Sequence, residues 1–171
     1  MHYCVYGPFE VPRNQRLVSR ESGDKQRFWD DVDAAATGLA DACGCYVFII
    51  RKRAWYIGMA EKQGFRNECF ESHKIVLYNE ALQARTGRPQ MILIARMTPQ
   101  DRFAKPSKNG RRDISLLEKL IIGMALRRNP SLQNVRGTKL LREMKVPGVL
   151  NTGRGEARAK SVQALKKSLG L

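Results

Sequence analysis

Histidine and cysteine are scarce, with two of the first and four of the second in 171 residues. A zinc site needs about four ligands. His2 and His73 are not paired at ligand spacing, so Cys43-x-Cys45 finds no obvious partners for a metal. Cys4, Cys43, Cys45 and Cys69 could make two disulfides in a secreted chain. The opening Met1-His2-Tyr3-Cys4-Val5-Tyr6 lacks the basic and apolar regions of an export signal, so reduced thiols and a cytoplasmic location are expected. No apolar run approaches the ~18 residues of a membrane span. No long basic amphipathic helix with an aromatic face argues for a membrane surface. Internal repeats and low-complexity tracts are absent.

Acid is also scarce. Sixteen Asp and Glu face thirty-one Lys and Arg, a formal charge of +15. Such a chain repels itself, and an acidic partner is the usual reason. Nucleic acid, DNA in particular, is the expected partner. That would make the protein nucleoid-associated when bound. With 43% hydrophobic and 27% charged residues the chain reads as globular, and its length suits one domain over residues 1–171.

Residues 7–25, rich in Gly, Pro, Asn and Ser, read as an irregular arm. Phe28, Val32, Ala35, Ala36 and Leu39 predict an amphipathic helix over 26–41. Asp30, Asp31 and Asp33 then suit the positive end of its dipole. Tyr46–Ile50 reads as a buried strand and Trp55–Met59 as its hairpin partner. Arg51-Lys52-Arg53 forms a turn slightly longer than the tightest type. A helix over 66–84 and a strand over 90–97 follow. Next comes a loop carrying Arg102, Lys105, Lys108, Arg111 and Arg112 with no acid between them. An apolar helix over 114–128 stops at Asn129-Pro130. The tail from Arg136 holds nine basic and two acidic residues, Lys139 among the former, and a last helix over about 158–169. The expected class is α+β: a small, three-stranded, mainly antiparallel sheet flanked by helices. An N-terminal arm and helix (1–43) and a basic C-terminal extension (136–171) flank a core over 44–135.

Two residues look chemically out of place. On a helix, Glu118 has Ile114, Ser115, Ile121 and Ile122 as neighbours three and four positions away. A carboxylate on that face is costly unless paired or bound to a cation. The competing reading makes Ser115-x-x-Glu118 a capping box at the helix start, although Asp113 serves equally well as the cap. Arg66, at a helix start, sits where the dipole opposes it. A guanidinium fork suits an anionic phosphorane. Tyr46, Tyr56, His73, Lys74 and Asn134 would each pass as structural or solvated if read alone.

Gly44-Cys45-Tyr46, nine residues, then Tyr56-Ile57-Gly58, followed by Arg66, Glu118 and Asn134, resembles the signature of the GIY-YIG endonuclease family. The first motif departs only at Cys45, a commonly variable position. The resemblance spans about residues 44–135 and implies metal-dependent hydrolysis of DNA phosphodiesters to 5′-phosphate and 3′-hydroxyl ends. It further implies that Glu118 is the sole protein ligand of a divalent cation, Mg²⁺ or Mn²⁺, with no small-molecule cofactor. The two tyrosines would face the active site. Tyr46 is then preferred as general base or water-orienting group and Tyr56 as phosphate-positioning group, and the two roles can be exchanged. A phenol with pKa near 10 must be lowered by nearby cations to act as a base. His73 and Lys74, seven and eight residues after Arg66, would share its helix face. His73 can take a proton directly or through Tyr46. Asn134 can position the glutamate or a phosphate. Gly44 and Gly58 are expected to be structural. Lys74, Arg102, Lys105, Lys108, Arg111, Arg112, Arg136 and Lys139 are expected to meet phosphates. The main rival is a non-cleaving nucleic-acid-binding protein on the same scaffold. A basic RNA-binding or ribosome-associated protein ranks below it. The target, strand preference, biological role and oligomeric state have no sequence signal.

Overall fold

A computed structural model describes residues 2–134, 138–150 and 158–171. The architecture is α+β, with four strands in the main sheet rather than three. Strand β1 (His2–Glu10) takes its last four residues from the 7–25 stretch expected to be irregular. It pairs antiparallel with β6 (Pro89–Met97), from His2 opposite Met97 to Glu10 opposite Gln90. The N-terminal segment is therefore part of the sheet. A separate two-stranded ribbon, β2 (Arg13–Asn14) and β3 (Leu17–Val18), follows it.

Helix α1 (Ser22–Ala35) starts four residues before the predicted helix. Asp30, Asp31 and Asp33 therefore lie in its second half, away from the positive end of the dipole. Strands β4 (Gly44–Ile50) and β5 (Arg53–Ala60) form the predicted hairpin. Ile50 pairs with Arg53, so the turn is the two-residue type, with Arg51 and Lys52 both at positive φ, 49° and 62°. The predicted helix over 66–84 is broken into α2 (Phe65–Glu68) and α3 (Ser72–Ala84). Helix α4 (Arg112–Arg128) begins two residues early, so Glu118 sits well inside it and no capping box forms. Short α5 (Lys139–Glu143) and α6 (Lys160–Ser168) complete the described chain. Among the described residues no helix is long and apolar enough to cross a membrane.

The sheet order is β1-β6-β4-β5, every neighbouring pair antiparallel. Alternation along β4 divides the core. Tyr46, Phe48 and Ile50 pack with α1 and α3 residues such as Val32, Ile75 and Tyr78. Val47 turns to the opposite face, where Ile122 and Leu126 of α4 cover it with Leu132. Because β4 is covered on both sides, its run is apolar throughout rather than alternating. Strand β5 is an edge. The segment after α4 runs along it: Asn129 Nδ2 donates to the Ala54 carbonyl (2.8 Å), and Gln133 N–H donates to the Trp55 carbonyl (2.7 Å).

Candidate active site

The residues of interest meet at that covered edge. A cleft of about 490 Å³ opens beside β5, between α3 on one side and α4 on the other. Tyr46, Tyr56, His73, Lys74, Glu118 and Asn134 line it. A larger hollow of about 760 Å³ beside the β2–β3 ribbon contains none of the predicted catalytic residues.

The two tyrosines arrive through the hairpin register. Tyr46 is opposite Gly58 and Phe48 is opposite Tyr56. A methyl group at Gly58 would overlap the Tyr46 ring, with Cε1 only 2.8 Å away and the hydroxyl closer still. The glycine thus leaves room for the Tyr46 ring to reach the sheet edge. Gly44 is constrained by space too, because a side chain there would strike the Ile94 carbonyl of β6.

Tyr46 is fully buried, and its hydroxyl has no hydrogen-bond partner of good geometry among the described residues. Its ring lies 6.1 Å from that of Tyr56. Burial, followed by the neighbouring Tyr78, Cys69 and Tyr56, pushes its phenol well above the usual value. Burial raises Tyr56 as well. Burial outweighs the one cation beside Tyr46, Lys74, so the phenol is held away from the tyrosinate form that a base would need.

Glu118 projects from mid-helix into the cleft. Burial raises its carboxyl above the usual range, and the Glu61 carboxylate adds to the shift. Lys119 and Lys74 oppose it. Glu61, just beyond β5, accepts the Arg111 N–H at 2.9 Å. Sequence reasoning missed Glu61 and Lys62 in the cleft, since a Glu-Lys-Gln loop reads as solvated. Their one signal was proximity to Tyr56-Ile57-Gly58.

Arg66 is not brought to this cleft. Its Nη2 donates to Asp33 at 2.7 Å, its Nε to Asp41 at 3.3 Å, and its guanidinium lies 5.8 Å from the Trp29 ring. The break between α2 and α3 also removes the helix face that Arg66 was expected to share with His73 and Lys74. The arginine ties α1 to the loop before β4 and to α2.

Lys74 is the cation beside the tyrosines. Its side chain is 4% exposed, and its Nζ lies 5.6 Å from the Tyr46 ring centroid. It pairs with Glu68, and with Glu71 at 3.1 Å, and donates to the Glu68 carbonyl at 3.0 Å. Burial pulls its ammonium down to about 8, against the attraction of Glu118. Glu68 and Glu71, in direct contact, act in the same direction as Glu118 and favour the charged form. Gln63 holds both carboxylates, at 2.7 and 2.8 Å. Lys74 is thus a buried, paired cation rather than a surface one. His73 is 68% exposed and lies 3.7 Å from Glu71.

Asn134 is nine-tenths buried, and its amide is engaged by backbone. Oδ1 accepts the Ile57 N–H at 2.9 Å, and Nδ2 donates to the Ile57 carbonyl at 2.5 Å. It closes the β5 edge rather than bonding to Glu118.

In the basic loop, Arg102, Lys105, Lys108 and Arg112 are exposed. Arg111 instead bonds the Lys105 carbonyl at 2.7 Å and braces the loop. The loop reaches the cleft rim, where Ser107 N–H donates to the Glu61 carbonyl at 2.8 Å. Lys139 is exposed, 4.0 Å from Glu143, and Arg136 lies outside the described residues.

Among the described residues no three His, Cys, Asp or Glu side chains cluster as metal ligands, and all four cysteines are free. Of the three carboxylates at the cleft, Glu68 is engaged by Lys74 and Gln63, which leaves the oxygens of Glu118 and Glu61 as donors. That set fits a hard divalent cation that keeps most of its water. The charge count points the same way. Three carboxylates, Glu61, Glu68 and Glu118, line the cleft against two ammonium groups, Lys62 and Lys74. An anionic phosphate is repelled from such a surface unless a cation accompanies it.

No family model matches the chain, and no match was found among curated proteins or solved structures.

Proposed function

We propose that the protein is a metal-dependent DNA endonuclease of GIY-YIG type, hydrolysing phosphodiesters to 5′-phosphate and 3′-hydroxyl ends. The observation that carries this reading is the convergence of Tyr46, Tyr56, His73, Lys74 and Glu118 on one cleft from β4, β5, α3 and α4. The resemblance of the motifs to that family supports it independently.

Glu118, with Glu61 beside it, would hold Mg²⁺ or Mn²⁺, the remaining shell coming from water and phosphate oxygens. When bound, such an ion supplies electrostatic stabilisation of the extra phosphoryl charge and of the leaving oxygen. The Tyr46 and Tyr56 hydroxyls orient the attacking water and the scissile phosphate. With its phenol pushed up, Tyr46 serves as hydrogen-bond donor rather than base. His73, in the lining at the open side of the cleft, receives the proton as general base. Lys74 provides the fixed positive charge facing the phosphoryl oxygens, the role assigned from the motif to Arg66. The basic loop gives non-specific hold on the DNA backbone.

One observation favours a second reading, a non-cleaving nucleic-acid-binding protein: Arg66 is engaged by Asp33 and Asp41, and Lys74 by Glu68 and Glu71. Plasmid and single-stranded DNA incubated with Mg²⁺ or with EDTA separate the two. The nuclease reading expects Mg²⁺-dependent cutting abolished by Glu118→Gln. Binding without cutting, or cutting that survives Glu118→Gln, would overturn it.

A further inference from the structure

We propose that the tip of the β4–β5 hairpin and the end of α4 form a second phosphate-binding cleft, which grips the nucleic-acid backbone away from the cutting site. The inference rests on the nucleic-acid reading above and extends it to a site with no assigned role.

Arg51, Lys52, Arg53 and Arg128 line a recess of about 470 Å³ floored by Ala54, Ala125 and Asn129. No acid lines it. None of these four cations forms an ion pair with a described residue, and all four are exposed. Four like charges around one recess repel one another unless a polyanion comes between them.

The turn chemistry gives an independent reason. Arg51 and Lys52 occupy positive φ in a two-residue hairpin turn. That conformation favours Asn-Gly and penalises other residues that carry a Cβ, which crowds the following carbonyl oxygen. A local preference is overridden here in favour of two cations, a pattern that marks functional sites. The recess is also braced. Asn129 Nδ2 bonds the Ala54 carbonyl at 2.8 Å, and Gly87 lets the Arg51 stem lie against the next turn, where a methyl would stand 3.1 Å from Cγ.

Its position connects it to the catalytic cleft. Both lie on the seam between β5 and α4, with Tyr56 and Glu118 at one end and Arg53 and Arg128 at the other. Ten residues of helix separate Glu118 from Arg128, about 15 Å at 1.5 Å per residue. That is the rise of about four to five nucleotides along one strand. A backbone laid along the seam meets both clefts. A membrane surface fits less well, because the recess has no apolar anchor larger than alanine.

The test uses the full chain and a fluorescent 30-base-pair duplex in EDTA, with anisotropy titrations between 50 and 200 mM salt. Arg51→Asn/Lys52→Gly removes two charges while relaxing the turn. Arg20→Gln/Arg27→Gln removes two elsewhere. We expect the hairpin variant to bind about tenfold more weakly at 100 mM salt, with its salt slope reduced by about 0.9 for each phosphate that is no longer neutralised. Its Tm should rise by about 2–4 °C, which excludes misfolding as the cause of weaker binding. The control pair should keep the slope. A hairpin variant indistinguishable from the control overturns the inference. If wild type cuts plasmid and the slope is unchanged, the second cleft is excluded and the nuclease reading stands. If wild type binds with the expected slope dependence but never cuts, the nuclease reading falls and the second cleft stands.

Discussion

The ring of Tyr46 lies across Gly58, its cross-strand partner, in the space that any side chain at that position would fill. The two motifs of the hairpin are therefore one packing unit. Gly58→Ala must displace the ring, at a cost of about 1–3 kcal/mol as for other overpacked sites. Activity should drop at least about tenfold, one factor for each 1.4 kcal/mol of misplaced binding. Chemical denaturation of Gly58→Ala, Tyr46→Ala and the double variant checks this. The glycine substitution should cost much less in the Tyr46→Ala background, and additive losses would show that the contact is unimportant.

Arg66 and Lys74 should separate stability from chemistry. Arg66→Met loses its bonds to Asp33 and Asp41, and we expect a loss of about 1 kcal/mol with kcat changed less than about fivefold. Lys74→Met should lower kcat by about 10²-fold or more. A pH profile adds a readout that a purely structural lysine would not move. The ammonium must stay protonated to face phosphate, so activity should fall as pH rises through about 8, or somewhat above it given the contacts with Glu68 and Glu71. Lys74→Arg should push that alkaline limb upward, since a guanidinium keeps its proton.

Glu118 has a raised carboxyl in the fold, so its charge opposes folding. The sign follows from linkage. A carboxyl whose folded pKa exceeds its unfolded value favours the folded state below the unfolded pKa, and that advantage is lost as pH rises through the folded pKa. At neutral pH, in EDTA, Glu118→Gln should therefore raise Tm while lowering Mg²⁺-dependent cutting by about 10³-fold. Mn²⁺ should raise the Tm of wild type and not of Glu118→Gln, with the rise fading as pH falls and the carboxyl takes up its proton. Calorimetry at three pH values would show it, and an equal Mn²⁺ effect on both proteins would exclude Glu118 as ligand.

Asn134→Ala should leave the Ile57 N–H and carbonyl without partners at a buried edge. The expected loss is about 1–3 kcal/mol. Amide exchange at Ile57 should accelerate by the corresponding factor, whereas Asn134→Asp should preserve the N–H bond and much of the protection. Unchanged exchange at Ile57 in the alanine variant would return Asn134 to a direct role in chemistry.

Motif spacing was enough to bring Tyr46, Tyr56, Glu118 and Asn134 to one place, because two of them share a hairpin and one stands on a strongly apolar helix. It failed for Arg66, whose partners Asp33 and Asp41 lie 33 and 25 residues earlier in the chain. Nothing local announces such an ion pair. Helix α2 parts from α3 at Cys69-Phe70-Glu71 without a glycine or proline to mark the break. Strand β1 was hidden by Gly7 and Pro8 within it, both weak strand formers. The tight turn at Arg51-Lys52 escaped because its residues are the opposite of the usual Asn-Gly signal. Asn134 was legible as a residue and not as a role, since its bonds run to backbone rather than to any named group.

The pairing of β1 with β6 joins residues about ninety positions apart in the chain. On a ribosome adding 5–20 residues per second, β1 must wait roughly 5–20 s for its partner to be made. During that interval its backbone groups have no ladder, and the sheet cannot be completed from the N-terminal end. The β4–β5 hairpin, closed by a two-residue turn, can form as soon as it emerges. The hairpin that carries both tyrosines is thus able to assemble before β6 and β1 join the sheet, so a stall between the emergence of residue 60 from the ribosome and that of residue 97 would leave the hairpin paired and β1 exposed to misassociation.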